Sequence, residues 1–189
     1  MGLFGNTMYH IKKDIRTRKS ADRVLDALTE CLKTKKLTDI SYTDLQKSSG
    51  VGRSTIYRIF DTNADILAYG CDMFAESLNR EYLKMTQKSH PSKRDFALFI
   101  MSGWMGNYKL LDAINMSRCE DILEKSIVKY RQGLPEYDEK LILTPVQIEY
   151  LTEIAAASVA AVFKVWLRHG RKESAEELYE ILSKMDSNF

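Results

Sequence analysis

The 189-residue sequence holds only 3 cysteines, 3 prolines, 9 glycines and 3 histidines. Cys31, Cys71 and Cys119 are odd in number, far apart and without a C-x-x-C pair. Neither a disulfide framework nor a zinc knuckle is expected, and a reducing compartment is. So little glycine and proline excludes a collagen-like or linker chain, and 44% hydrophobic residues excludes a wholly disordered one. His10, His90 and His169 are scattered, and the chain lacks H-E-x-x-H, G-x-S-x-G and any glycine-rich phosphate loop. An enzyme is therefore not expected, nor a bound metal or cofactor. No run reaches the roughly 18 to 20 uninterrupted apolar residues of a membrane span. The nearest, Ile154 to Leu167, carries Ser158 and Lys164. Met1 to Lys13 lacks the basic region and apolar core of a secretory signal. These absences predict a cytoplasmic protein with no membrane partner.

What is present is unevenly distributed. Net charge is +2, yet residues 1–62 carry 12 Lys and Arg against 7 Asp and Glu, while residues 63–189 carry 16 against 19. A basic front on a mildly acidic remainder directs that front toward a polyanion.

Apolar spacing is helical nearly throughout, with no strand-like alternation and no internal repeat. Val24, Leu25, Leu28, Cys31 and Leu32 form one stripe of a first helix, with Thr17 as its expected cap. Ser41-Tyr42-Thr43-Asp44 has capping-box form and opens a short helix that ends at Ser49-Gly50. Gly50-Val51-Gly52 is a tight turn, and Arg53 to Phe60 follows as a third helix. Thr62 to Asp65 caps a long helix reaching about Gln87. His90-Pro91-Ser92 breaks the chain, and interruptions fall near Gly103–Gly106 and Asn115–Ser117. Gly133-Leu134-Pro135 ends that stretch; Thr144-Pro145 starts a helix that stops at His169-Gly170, and Ser174 caps the last one. The fold class is all-α, with about nine helices.

The second and third helices have helix-turn-helix proportions. Ile56 and Phe60 share a face that suits packing on Leu25, Leu28 and Leu45, which leaves Arg53, Ser54, Thr55 and Arg58 open. Arginine can fork onto guanine edges or phosphates, and small hydroxyls reach either. On spacing alone the same segment is equally a helical hairpin with a solvated basic face. The order Asp44-Leu45, Ser49-Gly50-Val51-Gly52, Ser54-Thr55-Ile56-Tyr57 and Phe60, at fixed spacing, resembles the TetR family of bacterial repressors. Val24-Leu25-Asp26-Ala27 and Asp65-Ile66-Leu67 fit the helices on either side, so the resemblance covers about residues 16–70.

The resemblance implies an N-terminal helix-turn-helix DNA-binding domain over residues 1–62 and a helical effector-binding and dimerisation domain over 63–189. It implies that Ser41 and Thr43 touch phosphate, that Arg53 and Ser54 read bases, that Thr55 and Tyr57 hold the DNA backbone and that Arg58 enters the major groove. Asn63 stands where the family often has Lys, and Ile59 where it often has a polar or aromatic residue. Lys12, Lys13, Arg16, Arg18 and Lys19 could act as an arm that compensates, or as a solvated leader. The partner implied is a double-stranded, pseudo-palindromic DNA operator.

Behind the head, the run Trp166 to Gly170 and the capped helix after it resemble the family's C-terminal end. The resemblance implies a homodimer through helices 144–169 and 174–186. Ile154 to Leu167 is apolar nearly all round, which independently argues against a wet monomer face; a central buried helix is the other reading. Met101, Trp104, Met105, Tyr108 and Met116 cluster with small residues and suit an adaptable apolar cavity for a small-molecule effector, or an ordinary core. Asn107, Asn115 and Arg118 are candidate polar contacts there. The function expected is a homodimeric transcriptional regulator, a repressor released by a small molecule. The alternative is a helix-turn-helix protein without an effector, controlled by a protein partner or acting constitutively.

Overall fold

The computed structural model describes residues 9–11, 15–87, 89, 91–131 and 143–186. Among them nine α-helices follow one another: α1 (Ile15–Leu32), α2 (Tyr42–Ser49), α3 (Arg53–Ile59), α4 (Asn63–Thr86), α5 (Lys93–Gly106), α6 (Tyr108–Ser117), α7 (Glu120–Arg131), α8 (Pro145–Arg168) and α9 (Ala175–Asp186). The turn expected at Gly133–Pro135 lies outside the described residues, as does His90.

Local chemistry sets the helix starts. Ser41, Thr62, Ser92 and Thr144 each accept a hydrogen bond from the backbone three residues on, and Asp44, Asp65, Asp95 and Gln147 answer with their side chains. Ser174 and Glu177 exchange the same two bonds ahead of α9. Each such cap is worth about 1 kcal/mol. The exception is α1, which begins at Ile15 and holds Thr17 inside its first turn rather than at the cap. Gly50 closes α2 at φ 66°, the left-handed turn that disfavours other residues.

The α1 stripe packs on α2 and α3. Val24, Leu28, Leu45, Ile56, Ile59 and Phe60 have no exposed surface at all, and each fully buried aliphatic contributes about 1.5–3 kcal/mol. Behind them α4, about 36 Å long at 1.5 Å per residue, carries Ile66 and Leu67 at one end and Leu78 and Tyr82 toward the other. α5 presses closely on α4 because Gly103 has no side chain: a Cβ there would lie 2.5 Å from Leu78 Cδ2. The expected break near Gly106 is real, with Asn107 ending α5 and leading into α6.

The Trp166 indole donates to the Glu173 carbonyl at 3.0 Å and pins the turn into α9, where Gly170 has φ 75°. α8 is 24 residues long and, by length and composition, apolar enough to cross a membrane, although polar residues interrupt the run. Only 28% of its most apolar stretch is buried. Val146, Tyr150, Ile154 and Val165 stand exposed along it, with Ala157 and Ala161 between them.

A short strap precedes the helices. Tyr9 forms an antiparallel bridge with Phe60, and the His10 N–H donates to the Ile59 carbonyl at 2.7 Å. The Tyr9 hydroxyl donates to Asp72 Oδ2 at 2.8 Å, across 63 residues of sequence. Ser126 and Lys129 of α7 donate to the same buried carboxylate.

Candidate nucleic-acid interface

The open face of α2 and α3 gathers the residues expected to meet DNA. Ser41, Thr43, Arg53, Ser54, Tyr57 and Arg58 are all exposed, and Thr55 is half-buried. Arg53, at the first position of α3, donates to Thr43 Oγ1 at 3.2 Å, so the start of α3 and the first turn of α2 form one polar edge. Tyr57 is 61% exposed although it is aromatic. Its ring leans on Tyr42 at 4.5 Å, and the Tyr42 hydroxyl is anchored to the Phe60 carbonyl. Burial, then the Asp65 charge, pushes the Tyr42 phenol up to about 12, so it stays a neutral donor that props Tyr57 outward.

Ser41 is committed to its cap, donating to Asp44 Oδ2 at 2.8 Å. Lys35 also binds Asp44 at 2.8 Å. The Lys35 hydrogen bond, then those from Ser41, hold the Asp44 carboxyl well below the usual carboxylate range. The one acidic group in the first turn of α2 is thereby paired before any polyanion approaches. Arg16, Arg18 and Lys19 are exposed on the first two turns of α1, whereas Lys12 and Lys13 lie outside the described residues.

A second feature lies behind this head. α4, α5, α7, α8 and α9 enclose a cavity of about 160 Å³ with almost wholly apolar walls. Met101 and Trp104 line it, together with Phe96, Ile100, Ile127 and Val159.

No protein-family model matches this sequence, and no curated protein matches it significantly. Solved structures do match its shape. Lin0861 from Listeria innocua superposes with a TM-score of 0.75 at 15% identity, covering 96% of both chains. A TetR transcriptional regulator from Streptococcus agalactiae 2603V gives 0.61 at 18% identity, over 92% of this chain and 96% of that one. The chain has the TetR-family fold. FadR from Bacillus subtilis, solved in complex with stearoyl-CoA, gives 0.50 at 16% identity over 85% of this chain and 96% of its own.

Within the TetR fold several expected site residues take other places. The Asn63 amide donates to the Leu37 and Ile40 carbonyls at 3.0 and 2.8 Å. It staples the turn after α1 to the start of α4, so its side chain is spent inside the head rather than held out for phosphate. Ile59 has no exposed surface. Tyr108 and Met116 are exposed and do not line the cavity, and Met105 is half-buried against the core outside it. The cause is the turn at Asn107: α6 buries Leu110, Leu111, Ala113 and Ile114, which leaves Tyr108 and Met116 on its far side. Tyr108 instead lies under Arg171, 4.4 Å from its ring. Asn107, Asn115 and Arg118 are likewise absent from the cavity wall.

Two residues of consequence were missed. Tyr42 props Tyr57, and Asn79 stands on the cavity wall. Asn79 had a signal: it is a polar residue one turn from Ala75 and Tyr82, on the inner stripe of a long helix.

Proposed function

We propose that the chain is a DNA-binding transcriptional regulator of the TetR type, with residues 1–62 as its DNA-binding part and 63–189 as its effector-binding and dimerisation part. The observation that carries this reading is the asymmetry of α3. Ile56 and Ile59 are wholly buried, while Arg53, Ser54, Tyr57 and Arg58 all stand open on the other side. A seven-residue helix too short to be stable alone is held rigidly with its polar face outward. That is the form in which a recognition helix enters a major groove. Ser41, Thr43, Thr55 and Tyr57 are placed to hold phosphate, Arg53 and Ser54 to read bases.

The exposed apolar face of α8, with Ile181 of α9 at 51% exposure, supports a homodimer in which these two helices meet their copies. Two α3 helices would then occupy successive major grooves, about 34 Å apart, on a pseudo-palindromic operator in the cytoplasm. A small molecule in the cavity acts by binding better to a form whose heads are wrongly spaced, so the protein works as a repressor relieved by population shift.

Selection of bound sequences from a random DNA library tests the proposal. The expected result is a pair of inverted half-sites one helical turn apart. Recovery of asymmetric or featureless sequences would sink the dimeric-operator reading.

A further inference from the structure

The cavity behind the head has one polar feature that its size and walls leave unexplained. The Asn79 Nδ2 donates to the Tyr130 carbonyl at 3.0 Å, which fixes how the amide is turned, because a carbonyl can pair only with the NH₂ end. Asn79 Oδ1 is consequently directed elsewhere, and it is buried with no hydrogen-bond partner. Buried side-chain acceptors left unpaired are uncommon and costly. A water molecule is a poor remedy, since ordered buried waters need two to four polar partners and the walls around Asn79 are Ala75, Leu78, Ile127 and Trp104. Apolar cavities of about 150 Å³ stay dry and take up a single benzene ring, and this one measures about 160 Å³.

We propose that the cavity takes a compact, single-ring apolar molecule carrying one hydrogen-bond donor, a phenol in its simplest form. The ring fills the space between Phe96, Ile100, Met101 and Trp104, and the hydroxyl donates to Asn79 Oδ1. The donor is what selects: a ring bearing only an acceptor meets a lone pair with a lone pair. The ring without a polar group leaves Oδ1 as orphaned as before. This inference deepens the effector reading above and rests on it only for what the ligand does to DNA binding.

Titration calorimetry with phenol, toluene, anisole and benzoate tests it, with stearoyl-CoA as a fifth ligand. Phenol is expected to bind about tenfold more tightly than toluene or anisole, the cost of one unpaired buried acceptor. The Asn79→Leu variant should lose that preference while still binding toluene. Ala97→Leu, which fills the cavity and leaves the Asn79–Tyr130 bond alone, should bind none of the ring compounds. Equal affinity for phenol and toluene would overturn the proposal. So would tightest binding of benzoate, which would shift recognition to Lys93 on the cavity wall, or of stearoyl-CoA, which would make the site one for long acyl chains. The series on the unaltered protein decides this even if a variant fails to fold. DNA binding measured on the same preparation separates the two readings. A protein that binds its selected site but none of the rings overturns the ligand class alone. One that prefers phenol but binds no DNA overturns the regulator alone.

Discussion

The α1–α3 head and the helices behind it face the same task, each helix having one stripe to bury, and they finish it differently. In the head the stripe closes completely: Val24, Leu28, Leu45, Ile56, Ile59 and Phe60 leave no surface and no space. Behind it the packing stops short twice. A cavity of about 160 Å³ remains between α4, α5, α7, α8 and α9, and α8 keeps Tyr150 at 69% and Ile154 at 60% exposure. A filled core holds a short helix in one orientation, which reading a base edge demands. Unfilled volume and uncovered apolar surface are what a region must keep if it is to accept a small molecule and a second copy.

That contrast can be attacked where it is largest. Ala157→Glu should place an unpaired carboxylate in the apolar face of α8 and yield monomers, because a buried unpaired charge costs about 3–5 kcal/mol. Sedimentation would show it, and operator affinity should collapse with the loss of one half-site. An intact dimer would put the interface elsewhere. A smaller effect compares the two cores directly. Leu28→Ala should destabilise the filled head by about 2–5 kcal/mol, whereas Met101→Ala beside the existing cavity should cost clearly less, since loosely packed sites relax. Equal shifts in chemical denaturation midpoint would erase the contrast. The smallest is within the head. Arg53 and Arg58 are five residues apart and so about 140° apart around the helix axis, and they cannot both face one groove floor. Arg53→Ala should cost about 1–3 kcal/mol and relax specificity at one base pair per half-site, while Arg58→Ala weakens all sequences alike. Competition with single-base operator variants decides it, and the reverse pattern would reassign the two.

The head was legible in the sequence because its information is local. A cap and its acidic answer lie three residues apart, as in Ser41 and Asp44, and the buried stripe recurs within one helix. The left-handed end of α2 sits on a glycine that the chain shows openly. The rear was legible only as helices. Which side of α6 turns inward depends on the angle of the chain at Asn107, so Tyr108 and Met116, read as cavity walls, fall outside it. Asn63 shows the same limit inside the head: its two carbonyl partners stand 26 and 23 residues away, beyond anything periodicity can connect. Asn79 is the intermediate case, a polar interruption of an apolar stripe whose meaning appears only when α7 is packed against it.

The strap at Tyr9 has a mechanical consequence. Asp72 offers about four lone-pair sites, and three are claimed by Tyr9 from one end of the chain and by Ser126 and Lys129 from α7. Burial works against the Lys129 charge, yet the Asp72 carboxylate outweighs it and holds the ammonium above its ordinary value. One residue along from Tyr9, His10 grips the carbonyl of Ile59 at the end of α3. The carboxylate is thus a pivot pin through which α7 and the last turn of the recognition helix are joined by a tether only two residues long. Hydrogen bonds stretch very little before they break, so a rocking of α7 against α4 is delivered to α3 as a tug on that tether, by a route that bypasses the backbone of α4 altogether.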